Sequence, residues 1–409
     1  MSPDQQAALA EIAELARNAG TLAFDTEFMG EGRYRTLLCL IQLAAPERAA
    51  AATSPSAGDS SASVRAAPDR IEVIDPFEQE LDGAPLAQVL ADERIELVVH
   101  AGRQDVALVR RRFRTDVRNL FDTQIAAGFA GLPAQSSYDS LLSEILGVRL
   151  AKSASFTRWD ARPLSDEQLE YARGDVVHLL ELAAELQRRL RELGRLEWAR
   201  QECAQLERSS DERDLDVVFA RLPRIRGLNA ASQAIARELV QWRESTAERQ
   251  DRPVQSVLGD AALVELAKRK PANVKRLEEI RGLGQGVVRR SGAALLEALE
   301  RGAQRPHEPL ENGLRPPPPD ATDAPLIALS EALVRARARE ADLAYELVAS
   351  RADLQAIVAA QRVGEQADVR TLRGWRRELV GDELLELLDG RVSLSVDGRR
   401  LRVQGSSGA

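Results

Sequence analysis

At 409 residues the chain is too long for one ordinary core, which predicts two or three domains. Its 44 % apolar and 29 % charged residues suit a soluble globular protein, and with neither an apolar run of about 18 residues nor a basic, apolar leader it is expected to have no membrane span or secretion signal and to be cytosolic. The net charge of −8 is uneven: residues 212–301 carry 17 Lys/Arg against 13 Asp/Glu, so the acidity sits mainly in the first half, where ligands for hard cations are expected, and a locally basic surface remains for a polyanion.

In chain order, TLAFDTEF, LLCLIQLA, IEVIDPF and IELVVH are apolar or alternating runs of strand length. The first three leave no room for helices between them and are expected to run antiparallel. PLAQVLADE and RQDVALVRRRF supply helices before IELVVH and RNLFDTQ, so the later strands can be parallel. Residues 47–70, rich in Ala, Ser, Pro and Asp, cannot bury enough apolar surface to order themselves and are expected to form a surface loop. LSDEQLEYARGDVVHLLELAAELQRRLREL reads as one strong helix, opened by Pro163 and by Ser165 and Gln168 at capping-box spacing. From about 212 the pattern is helical, residues 305–325 form a Pro-rich linker, and a second helical block ends in a hairpin around Asp397-Gly398. The expected domains are 1–205, 212–301 and 325–409, with a linker at 302–324.

Cys39 and Cys203 match no metal-ligand spacing, and histidines occur only at 100, 178 and 307, so a histidine-built site is a poor starting point. Carboxylates remain. Asp25 and Glu27 are two apart on a strand and share a face, the wrong arrangement for a core strand but right for two ligands of one cation. Asp105 follows a strand and opens a helix. Asp175 lies four residues after Tyr171 on one helical face. Each acid alone is as compatible with a solvated surface or a helix terminus. Brought together they could hold two divalent ions, Mg²⁺ or Mn²⁺ given oxygen-only ligands, about 3.5 to 4 Å apart, the arrangement that hydrolyses phosphodiesters. Asp122 in LFDTQ tempts as a further ligand but is expected to cap the helix beginning TQIAA.

FDTEF, HAGRQD and YARGD, in this order, resemble the three exonuclease motifs of the DEDD superfamily, in the subclass with Tyr-x-x-x-Asp as its third motif. LFDTQIAA and ARPLSDEQLEYA are similar to the ribonuclease D family in particular. The resemblance, over about residues 20–195, implies an RNase H-like α/β fold with a mixed sheet and 3′→5′ exonuclease activity with two metals. It implies that Asp25, Glu27, Asp105 and Asp175 are the metal-binding carboxylates and that Tyr171 orients the attacking water. The segment 212–301, with Trp242-Arg243 and the Pro253 turn, resembles an HRDC domain, an auxiliary all-α nucleic-acid-binding module; 325–402 resembles it loosely.

The resulting expectation is a 3′→5′ exoribonuclease that trims tRNA precursors and other small structured RNAs to 5′-monophosphates. A DNA exonuclease of the same superfamily and a catalytically silent nucleic-acid-binding scaffold are the rival readings. RNA contacts are expected at Lys152, Arg158 and Arg162, just before the catalytic helix, and at Lys268, Arg269, Lys270, Lys275 and Arg276 in the helical domain.

Overall fold

The structure, a computed structural model, describes residues 3–47, 69–77, 81–150, 158–306, 320–398 and 400–405. Most of the 47–70 loop, Lys152 and residues 307–319 of the linker lie outside the described residues.

Two compact units divide the chain. The first takes the described residues of Met1–Glu27, Cys39–Ser210 and Leu314–Ala409, and the second those of Phe28–Leu38 and Asp211–Gly313. The first unit opens with helix α1 (Pro3–Ala19), followed by β1 (Thr21–Met29), β2 (Leu37–Pro46) and β3 (Asp69–Ile74). Helix α2 (Ala84–Ala91), β4 (Glu96–Val99), α3 (Arg103–Phe113) and β5 (Leu120–Asp122) complete a five-stranded mixed sheet of order β3-β2-β1-β4-β5. As expected, β2 and β3 are antiparallel while β1, β4 and β5 run parallel, with Ala23 beside Val98 and Val98 beside Phe121. Short helices α4 (Thr123–Phe129) and α5 (Tyr138–Leu141) lead to α6 (Asp166–Gly174), α7 (Leu179–Glu192) and α8 (Leu196–Cys203).

The long helix expected from residue 165 onward is two helices, broken at 175–178. Its start is as read: the Ser165 hydroxyl accepts from the Gln168 N–H and Gln168 returns the bond. At the break, the His178 N–H donates to the Tyr138 hydroxyl at 3.2 Å instead of to a helical carbonyl.

The second unit is helical: α9 (Leu215–Ala220), α10 (Ala230–Arg249), α11 (Val254–Val257), α12 (Asp260–Arg269), α13 (Val274–Leu277) and α14 (Gln285–Gln304). Its core gathers Phe219, Ile235, Leu239, Leu263, Leu266 and Leu295. The nearly inaccessible Arg243 guanidinium is held at 2.6 Å by Asp260, which relieves the cost of burying it.

The last helices, α15 (Asp323–Glu340), α16 (Tyr345–Val348), α17 (Arg351–Arg362) and α18 (Asp382–Leu388), precede the hairpin of β6 (Val392–Asp397) and β7 (Arg400–Gly405). This block, expected as a domain of its own, instead shares one core with the sheet. Leu333, Val334, Leu354, Trp375 and Leu384 belong to the same buried cluster as Ala23, Val98, Phe121, Phe129 and Leu182. The Trp375 ring stacks on Trp198 at 5.4 Å and meets Phe129 edge-on at 4.9 Å. Helical periodicity shows which face of such a block is apolar but not what that face packs against.

Candidate active site

The site forms where the parallel strands end. β1 carries Ala23, Asp25 and Glu27 to one face by its period of two, so the alternation that buries Ala23 also presents both acids. Asp175 caps the C-terminus of α6 with helical backbone angles, one turn beyond Tyr171. Carboxylate oxygens of Asp25, Glu27 and Asp175 lie within 4.8 Å of one another, and all three side chains keep partial exposure.

Asp105 stands differently. Only 6 % exposed in the first turn of α3, it accepts a short hydrogen bond from the Thr26 hydroxyl. It is outside the three-carboxylate group, yet it is the leading charge acting on Asp25. The turn before it is tightly built. Ala101 sits at a left-handed φ of 54°, and a Cβ on Gly102 would come within 2.5 Å of the Val99 side chain, so a glycine is required there. Asp122 is a knot rather than a ligand. Its carboxylate accepts from Gln124 and Ile125 N–H, capping α4 as expected, and also from Ala101 and Gly102 N–H at 3.1 and 2.9 Å.

Crowding these acids has an electrostatic signature. Burial, then the Asp105, Asp175 and Glu27 carboxylates, hold Asp25 well above the usual carboxylate range. Glu27 is pushed up to about 8 by burial and by Asp175 and Asp105, and Asp175 to about 7 by burial. Asp105 rises to about 6 because burial outweighs its bond from Thr26. Burial and the neighbouring Asp175, Glu27 and Asp25 charges push the Tyr171 phenol up to about 12, so it stays protonated at neutral pH. Three converging oxygen donors whose mutual repulsion a cation would relieve fit a hard divalent ion.

Thr26 and Trp159 escape sequence reasoning. Thr26 is legible only as the spacer between two acids, and Trp159, 3 % exposed with its ring 5.9 Å from that of Tyr171, only as a core aromatic. Of the expected RNA contacts, exposed Arg158 pairs with Asp160 at 2.9 Å. Arg162, also expected to meet RNA, bonds within the protein to Asp75 and to backbone carbonyls. Lys268, Lys270 and Lys275 are exposed, while Arg269 and Arg276, also exposed, pair with Glu265 and Glu279.

A mixed sheet presenting clustered carboxylates and a tyrosine one helical turn from the last of them defines a 3′→5′ exonuclease of the DEDD class. The 3′-5′ exonuclease family model matches residues 1–191, and the HRDC domain model matches residues 232–299. Ribonuclease D of Granulibacter bethesdensis is 34 % identical, the match covering 97 % of this chain and 94 % of that one. Ribonuclease D of Gluconacetobacter diazotrophicus is 35 % identical, with 96 % and 94 % covered. The crystal structure of Escherichia coli RNase D, described as an exoribonuclease involved in structured RNA processing, superposes with a TM-score of 0.76 at 28 % identity, covering 93 % of this chain and 96 % of that one. The chain belongs to the ribonuclease D family and is a 3′-5′ exoribonuclease, a phosphodiester hydrolase that uses divalent metal.

Proposed function

We propose that this enzyme trims the 3′ ends of tRNA precursors and other small structured RNAs in the cytoplasm, releasing 5′-monophosphates. The supporting observation is the convergence of Asp25, Glu27 and Asp175 beside Tyr171. The structured-RNA role named for the Escherichia coli relative, carried here over nearly the whole chain, supports the substrate class.

In this reading Asp25, Glu27 and Asp175 hold the divalent cations, Mg²⁺ or Mn²⁺, and Asp105 adds to the field that attracts them. When bound, a pair of such ions activates water and neutralises the leaving oxygen in phosphodiester hydrolysis. Tyr171, a phenol and not a phenolate at neutral pH, orients the attacking water by hydrogen bonding and does not deprotonate it. Asp105 is buried and fixed by the Thr26 hydroxyl, and its charge acts on Asp25. The exposed Lys268, Lys270 and Lys275 are candidates for holding the RNA body through its phosphates.

The test is incubation with a 3′-extended tRNA and Mg²⁺, alongside a DNA strand of equal sequence and the Asp25→Ala variant. The expected result is stepwise shortening of the RNA by the wild type alone. Equal shortening of DNA would refute RNA selectivity, and an active Asp25→Ala protein would refute the site.

A further inference from the structure

Arg162 uses every donor it has. Nε and Nη2 hold the two oxygens of Asp75 at 2.5 and 2.8 Å, Nη1 donates to the carbonyls of Trp159 and Ala161 at 2.8 Å each, and Nη2 donates also to the Cys39 carbonyl at 3.0 Å. These are the five N–H groups of a guanidinium. Its carbon lies 4.6 Å from the centre of the Phe77 ring, so one of its two faces meets an aromatic ring as well. No donor remains for an RNA phosphate.

The three segments so joined are Cys39 on β2, Asp75–Phe77 after β3, and Trp159–Ala161 before α6. Asp75 is itself fixed, accepting from the Phe77 N–H at 3.0 Å while its own N–H donates to Gln5. Three residues after Arg162, Ser165 caps α6, the helix that carries Tyr171. The carbonyl of Trp159 is bound by Arg162, and the indole of the same residue packs against the Tyr171 ring. One side chain therefore anchors both the segment that leads into α6 and the residue whose indole packs beside the phenol.

We propose that Arg162 is a positioning residue for Tyr171. It acts from the sheet edge through Trp159 and the first turn of α6, and it does not touch the RNA. The inference rests on the reading of Tyr171 as the residue that orients water. Lysine at 162 keeps the charge but replaces a planar five-donor fork with a single ammonium, and so cannot reproduce the geometry.

The experiment measures kcat and KM on a 3′-extended RNA for wild type, Arg162→Lys, Tyr171→Phe and the double variant, with Mn²⁺ affinity as a further readout. Arg162→Lys is expected to lower kcat by about 10- to 100-fold, the scale of a misplacement near 1 Å, with KM and Mn²⁺ affinity unchanged. The double variant is expected to be no slower than Tyr171→Phe alone, because the two changes remove one function. Should Arg162→Lys fail to fold, Asp75→Asn, which weakens the same clamp, takes its place in the cycle. A raised KM with kcat intact would make Arg162 an RNA contact after all, and multiplying losses in the double variant would give it a separate role; either overturns the inference. Slow Tyr171→Phe beside fast Arg162→Lys overturns this inference alone, whereas full-speed Tyr171→Phe overturns the reading of Tyr171 beneath it.

Discussion

Asp25, Glu27 and Asp175 are held where burial, joined at Asp25 and Glu27 by neighbouring carboxylates, raises the cost of charging them, and the sign of that effect can be measured. With Glu27 pushed up to about 8 and Asp175 to about 7, the folded, metal-free protein keeps protons that the unfolded chain has already released above its ordinary carboxylate range. More protons bound in the folded state means that stability falls as pH rises, from about 4 through 8. A divalent cation offsets this by compensating the charge, so the melting temperature with Mg²⁺ minus that with EDTA is expected to widen as pH rises from about 5 to about 9. A constant gap over that range would count against a carboxylate-built metal site. Thr26→Val removes the donor that fixes Asp105 and is expected to lower metal affinity or activity by about 10- to 100-fold while the fold survives. Wild-type Mn²⁺ binding and rate in that variant would show that Asp105 needs no such support.

At the scale of elements, features set by near neighbours are legible in the sequence. The capping box at Ser165 and Gln168, the period-two face of Asp25 and Glu27, the cap at Asp122 and the Asp397-Gly398 hairpin all depend on near neighbours, and the structure contains each of these features. What sequence could not give depends on distant partners. The break at 175–178 has its hydroxyl acceptor on Tyr138, 40 residues earlier, and Arg162 meets Asp75 and Cys39 at separations of 87 and 123 residues. Asp122 belongs to both kinds, since its cap is local while its bonds to Ala101 and Gly102 reach back across two elements. Asp122→Ala is accordingly expected to cost about 2 kcal/mol or more, above a typical lost cap, because two further N–H groups lose their acceptor. Chemical denaturation reads this directly; a loss within about 0.5 kcal/mol, the range of an inert surface change, would mean that the knot carries no stability.

Across the whole molecule, the two compact units differ in how they are built. The second has a core of its own, whereas the sheet and the last helices are buried together. Trp375 is central to the shared core: it contacts Phe129 and Trp198, its indole N–H donates to Glu202 at 3.3 Å, and the adjacent Arg376 binds the same carboxylate at 2.7 Å. Trp375→Ala is expected to cost about 3–5 kcal/mol and to lower the temperature at which exonuclease activity is lost. Thermal inactivation unchanged from wild type would mean that the C-terminal block is an appendage. All of this matters to function only if the three converging carboxylates hold metal for hydrolysis. Calorimetric titration of Mn²⁺ into wild type, Glu27→Gln and Asp175→Asn, with RNA shortening followed on the same preparations, tests that most directly. Wild type is expected to bind the ion and shorten the RNA while each variant loses both; a folded variant that keeps its metal and its rate would contradict a carboxylate-held metal centre.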